Sequence, residues 1–126
     1  MTQATWSRIL LVSDDPDNLV SLKAALDAAG HDVVGCPTVA EAVIVAQREP
    51  FAVAVIDVQQ PDEMGLELLG NLRHMNSQIH VILNAAFQLL LSEKNITQGT
   101  TLTYVEKAAS SSIVLNHVHL AFRAYV

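Results

Sequence analysis

Cysteine, basic residues and long apolar runs are all scarce in this chain. The single cysteine, Cys36, excludes an internal disulfide and a zinc site built on several thiolates. Seven Lys and Arg against thirteen Asp and Glu leave a formal charge of -6. Proteins that grip a phosphate backbone need a basic face, so a nucleic-acid partner is not expected. No apolar stretch reaches the ~18 residues of a membrane span. The start, Met1-Thr-Gln-Ala-Thr-Trp-Ser-Arg8, lacks the basic and then apolar pattern of a signal peptide, so the expected location is cytoplasmic. The sequon Asn95-Ile-Thr97 then carries almost no weight. The histidines show no metal spacing, and His117 and His119 do not share a helix face. They read as surface or packing residues, and Cys36 as a small buried one.

What is present is enough for a core: 126 residues, 51% hydrophobic, with no linker or internal repeat. One domain spanning residues 1–126 is expected. Short apolar runs alternate with helical patterns. Ile9–Val12, Asp32–Cys36, Phe51–Asp57, His80–Leu83 and Thr101–Val105 read as strands. Pro16 opens a helix whose apolar positions are Leu19, Leu22, Leu26 and Ala29, and Gly30 ends it. Thr38-Val-Ala-Glu41 is a capping box for a second helix that stops near Pro50. Leu66 to Met75 reads as a third helix and Gln88 to Lys94 as a weakly specified fourth. Ser110 to Ser112 can cap a fifth that runs to the C-terminus. Five repeats of strand then helix predict an α/β fold, a doubly wound parallel sheet with helices on both faces.

Chemistry concentrates where strands end. Asp57 closes the apolar run Phe51–Ile56, at an edge where packing needs no carboxylate. In open α/β sheets that edge is where ligands bind. Ser13-Asp14-Asp15 follows the first strand at the same kind of edge. In the strand order 2-1-3-4-5, strands 1 and 3 are neighbours, and Asp14 and Asp57 flank the point where the order reverses. Carboxylates gathered there repel unless a cation joins them, and hard oxygen donors suit Mg²⁺. Lys107, just after the fifth strand, is placed to help neutralise the group. Taken singly, each residue has a plain reading: Asp-Asp-Pro as a helix cap, Asp57 as a turn cap, Lys107 as a solvated side chain. Their joint placement at three strand ends favours a site.

These residues resemble the receiver domain of bacterial two-component signalling, the phospho-accepting module of response regulators. The resemblance covers nearly the whole chain. It rests on Ile-Leu-Leu-Val-Ser-Asp-Asp-Pro-Asp-Asn-Leu (9–19), Val-Ile-Asp-Val-Gln-Gln-Pro-Asp-Glu-Met-Gly-Leu-Glu-Leu-Leu (55–69) and Tyr-Val-Glu-Lys (104–107). It implies a flavodoxin-like three-layer sandwich on a five-stranded sheet of order 2-1-3-4-5. It also implies that Asp57 takes a phosphoryl group from a sensor histidine kinase or phosphotransfer protein, without turnover as an enzyme. Asp14, Asp57 and the backbone carbonyl of Gln59 would hold Mg²⁺, with Asp15 a further candidate. Lys107 would pair with a phosphoryl oxygen, and Tyr104 matches the aromatic position that changes rotamer on activation.

The chain departs from the family at several places. Aligned on Pro16, Ser13 stands where the first of two acids is usual, with Asp14 second and Asp15 third. A one-residue shift making Asp14 and Asp15 the pair is the competing register; Pro16 and the apolar run favour the first. Asn84 stands where Ser or Thr is usual; its amide can donate, but it is longer and planar. Ala108 replaces a proline after the lysine, and Gln59 and Gln60 replace residues that are more often apolar. Two other functions stay open: a degenerate receiver that is a phosphorylation-independent interaction module, and an aspartyl-nucleophile phosphatase. Gln59 counts against the phosphatase, which needs a second acid there. A dinucleotide binder is disfavoured because no Gly-rich turn follows the first strand. The last helix is unusually apolar, with Val114, Val118, Ala121 and Tyr125 on one stripe and Ile113, Leu120 and Ala124 spreading to another side. In this family the face of the fourth helix, fifth strand and fifth helix commonly serves dimerisation or partner binding, so a homodimer or contact with a missing output domain there is the alternative to deeper burial.

Overall fold

The structure is a computed structural model that describes residues 8–58, 63–75, 79–84, 101–105 and 111–123. Five strands are described: β1 (Arg8–Ser13), β2 (Asp32–Cys36), β3 (Val53–Asp57), β4 (His80–Asn84) and β5 (Thr101–Val105). Four helices are described: α1 (Pro16–Ala28), α2 (Val39–Arg48), α3 (Glu63–Met75) and α4 (Ser111–Arg123), the last one in the chain. All neighbouring strands are parallel, in the order β2-β1-β3-β4-β5. Parallel pairing is what the strand–helix alternation predicts, and the order is the one the receiver resemblance implies. The helix expected over Gln88 to Lys94 lies outside the described residues.

The alternation of side chains along each strand divides the core in two. Leu10, Val12, Ala54, Ile56, Val81 and Leu83 pack on one face against Ala42, Val43 and Ala46 of α2 and Leu68, Leu69 and Leu72 of α3. Ile9, Leu11, Val53, Val55 and Ile82 pack on the other against Leu22 and Leu26 of α1 and Val114, Val118 and Ala121 of α4. Strands covered on both faces explain the near-continuous apolar runs. Of the α4 stripe expected to be apolar, Val114, Val118 and Ala121 face this core, while Ile113 and Leu120 remain 48% and 51% exposed; Ala124 and Tyr125 lie outside the described residues.

Local chemistry sets the boundaries. Pro16 starts α1, where its missing N–H costs nothing. Gly30 carries φ 93°, in the left-handed region that ends helices cheaply. Thr38 caps α2 by accepting from the Glu41 N–H at 3.1 Å. Several expected boundaries move: β1 gains Arg8 and Ser13 at its ends, and β4 gains Asn84. β3 begins at Val53, not Phe51: the Ala52 N–H donates to the Arg8 carbonyl and its carbonyl accepts from the His80 N–H, both at 3.1 Å, ahead of the ladder. α3 begins at Glu63, three residues before Leu66, and takes into its first turn Gly65, a residue of low helix propensity that in sequence reads as part of the loop.

The amino edge of the sheet is held by Arg8. Its guanidinium pairs with Asp32 at 2.9 Å and with Glu49, and lies 5.9 Å from the Phe51 ring centre. The hydrogen bond to Glu49 is the main influence raising its pKa above the ordinary value.

Candidate functional site

The opposite, carboxyl edge gathers the acids. Ser13 ends β1 and Asp57 ends β3, and the two are Cα partners in the ladder. Their positions continue the Leu11 and Val55 series, so both belong to the face covered by α1 and α4. Ser13 is 1% exposed. Its hydroxyl accepts from the Asp15 N–H and donates to the Asp15 carbonyl, each at 3.3 Å, which folds the chain sharply out of β1. Asp14 is exposed in that bend, one residue past the ladder.

Asp15 has a task of its own. Its Oδ1 accepts from the N–H groups of Asp17 at 3.1 Å and Asn18 at 3.4 Å, so it is the N-cap of α1. The plain reading of Asp-Asp-Pro as a cap therefore holds for Asp15, and Asp14 takes no part in that cap.

Asn18 is the residue that sequence reasoning missed. From the first turn of α1 its Nδ2 donates to Oδ2 of Asp57 on β3, across 39 residues of chain. A polar side chain just before the first apolar position of α1, Leu19, was the only available signal. It gains meaning once β3 lies beside α1.

Of the other expected site residues, Asn84 ends β4. Its predecessor Leu83 is the partner of Ile56, so Asn84 stands level with Asp57 along the sheet. On its other side Asn84 pairs with Val105, and Tyr104 pairs with Leu83. Gln59, Lys107 and Ala108 lie outside the described residues. Among the described residues no three His, Cys, Asp or Glu side chains group to hold a metal. The available donors, Asp14 and Asp57, are two hard carboxylates at one edge. That set fits Mg²⁺, which takes one or two carboxylates and keeps its waters.

The histidines and the cysteine belong elsewhere. His80 Nε2 bonds to the Thr103 hydroxyl at 2.7 Å, across β4 and β5. His31 stacks on Phe122 with ring centres 5.1 Å apart and lies 5.5 Å from the His119 ring. Burial pushes both imidazoles below their ordinary pKa, with His117 adding to the effect on His80 and His119 to that on His31. The buried Cys36 thiol is pushed up to about 11, by burial first and then by Glu41 and Glu49. At neutral pH it is a packing group.

A family model described as the response regulator receiver domain matches residues 9–119. The chain belongs to that family. Among relatives, the receiver is 31% identical to the transcriptional regulatory protein KdpE of Mycobacterium tuberculosis over 77 residues, which cover 61% of this chain and 34% of that protein. It is 28% identical to the acid tolerance regulatory protein ActR of Rhizobium meliloti over 107 residues, 85% of this chain and 55% of that one. The receiver thus spans between a third and just over half of these relatives. Among solved structures, the fold matches the receiver domain of sensor histidine kinase PA1611 from Pseudomonas aeruginosa PAO1. The TM-score is 0.69 at 21% identity, over 90% of this chain and 95% of that one. That structure has a magnesium ion coordinated in its active site cleft.

Proposed function

We propose that this receiver accepts a phosphoryl group on Asp57 from a phosphohistidine of a sensor kinase or phosphotransfer protein in the cytoplasm, and passes the signal to a partner or output domain. One observation carries the reading. The central strand β3 delivers Asp57 to the carboxyl edge beside the end of β1, where the chain turns through Asp14. In the transfer, a carboxylate oxygen of Asp57 attacks phosphorus. The O–P bond forms as the N–P bond of phosphohistidine breaks, and the bonding pair leaves with the imidazole. Asp14, Asp57 and the Gln59 carbonyl would hold Mg²⁺, which supplies charge stabilisation for the phosphoryl oxygens. Lys107 pairs with one of those oxygens, Asn84 donates to another from the end of β4, and Tyr104 responds to the change. The domain acts as an acceptor with at most slow self-phosphorylation and self-dephosphorylation. Its contact face for a partner or second copy includes α4, where Ile113 and Leu120 are exposed.

A second reading, the phosphorylation-independent interaction module, draws on the neutral Ser13 buried where the family usually has an acid. Labelling with acetyl phosphate and Mg²⁺, followed by mass measurement, separates the two. Phosphorylated wild type with unlabelled Asp57→Ala supports the acceptor. Absence of label in both proteins refutes it and leaves the interaction module.

A further inference from the structure

Asn18 sits in the first turn of α1 with its backbone N–H fixed by the Asp15 cap. From there its side-chain amide reaches Oδ2 of Asp57. An N–H donor on an ionised carboxylate forms a stronger bond than a neutral pair does. Asp14, Asp15 and Asp17 lie in the same stretch of chain, so a donor on Asp57 offsets part of the local repulsion. The amide thereby does, without charge, some of what a cation would do. Ser13 contributes to this economy: with no acid at that position, a neutral donor has one less charge to offset.

A divalent cation wants the same oxygens. Mg²⁺ demands near-octahedral geometry at about 2.0–2.1 Å and brings a shell of waters. An N–H directed at the carboxylate then faces that cation, and two positive partners on one group repel. Where the cation takes Oδ2, the oxygen the amide holds, the amide has to turn away and metal binding costs the hydrogen bond.

We propose that Asn18 is a positioning residue that competes with the divalent cation for Asp57: it holds the carboxylate while no metal is bound and yields when one arrives. The competition rests on the magnesium site proposed above. It makes the acidic edge self-supporting in the metal-free state and lowers its affinity for Mg²⁺ relative to a site without the amide.

The test uses the wild type, Asn18→Leu, Asn18→Ala, Asp57→Ala and the corresponding double variants. In EDTA, denaturant unfolding should show Asn18 and Asp57 coupled by about tenfold in the unfolding constant. Leu and Ala at position 18 should behave alike in this coupling, since neither donates. In a Mg²⁺ titration followed by backbone amide shifts, both position-18 variants should bind about three- to tenfold more tightly than the wild type. Additive unfolding effects, or Mg²⁺ affinity equal to or below wild type, overturn the inference. Acetyl phosphate labelling, run in parallel, keeps the two ideas apart. Coupling and tighter Mg²⁺ binding without any label leave Asn18 as proposed while sinking the phosphoacceptor. Label without coupling does the reverse.

Discussion

Ser13→Asp puts back the charge that this receiver lacks, at a position where its effect can be worked out. Ser13 is 1% exposed and is the ladder partner of Asp57. Neighbouring strands lie about 5 Å apart. Two unit charges at about 5 Å in an effective dielectric of about 20 repel by roughly 3 kcal/mol. The two hydroxyl contacts with Asp15, at 3.3 Å each, are long and add little to the loss. Asn at the same position has the shape of Asp without its charge, so Ser13→Asn isolates the steric part. In EDTA the Asp variant should therefore be about 3 kcal/mol less stable than the Asn variant, or roughly 10 °C lower in Tm for a chain of this size. Magnesium should reverse most of it. Mg²⁺ at about a hundred times its Kd adds about 2.7 kcal/mol to the state that binds it. Thermal melts of wild type, Asp and Asn variants, each with EDTA and with Mg²⁺, measure both quantities. If the Asp and Asn variants melt together in EDTA, or Mg²⁺ fails to raise the Asp variant, residues 13 and 57 do not share an electrostatic site and the reasoning fails.

Asp15→Ala removes the α1 cap and should cost about 1 kcal/mol in urea unfolding, with Mg²⁺ affinity within about twofold of wild type, because its carboxylate serves two backbone N–H groups. Leu68→Ala empties a fully buried position between α3 and the sheet and should cost about 2–5 kcal/mol by the same measurement. Acidification should destabilise the fold through His31 and His80, whose pKa values burial holds below the ordinary 6.5. Above that value both imidazoles are neutral in folded and unfolded chains, and their contribution is complete. As the pH falls below it, the unfolded chain takes up protons that the folded chain resists, and stability declines until the folded-state values are passed. Urea midpoints between about pH 7 and 5 should fall, and the double variant His31→Leu, His80→Leu should flatten that slope; an unchanged slope would rule this account out.

The sheet was legible because burial on both faces makes each strand a contiguous apolar run, and because Pro16, Gly30 and Thr38 mark helix ends by their own backbone chemistry. Edges were less so. Phe51 and Ala52 are as buried as the strand they precede, so hydropathy does not separate them from the ladder. Glu63 opens a helix whose first turn contains Gly65, which in sequence reads as loop. At the site, Asp57 and Asp14 stood out as carboxylates at strand ends. Asn18 did not, since its importance comes from a neighbour 39 positions away that only the β1–β3 pairing brings close. Asp15 resembled a ligand in composition and is a cap in geometry.

The grip of Arg8 ties the sheet at the rim opposite the acids. One guanidinium joins the start of β2, the end of α2 and the ring before β3. Three connections at the amino edge thus share a single anchor. Asp57 stands at the far end of the same sheet, so the anchor and the acid lie at opposite ends of the strands. A substitution of Arg8 therefore acts on the rim away from the acids.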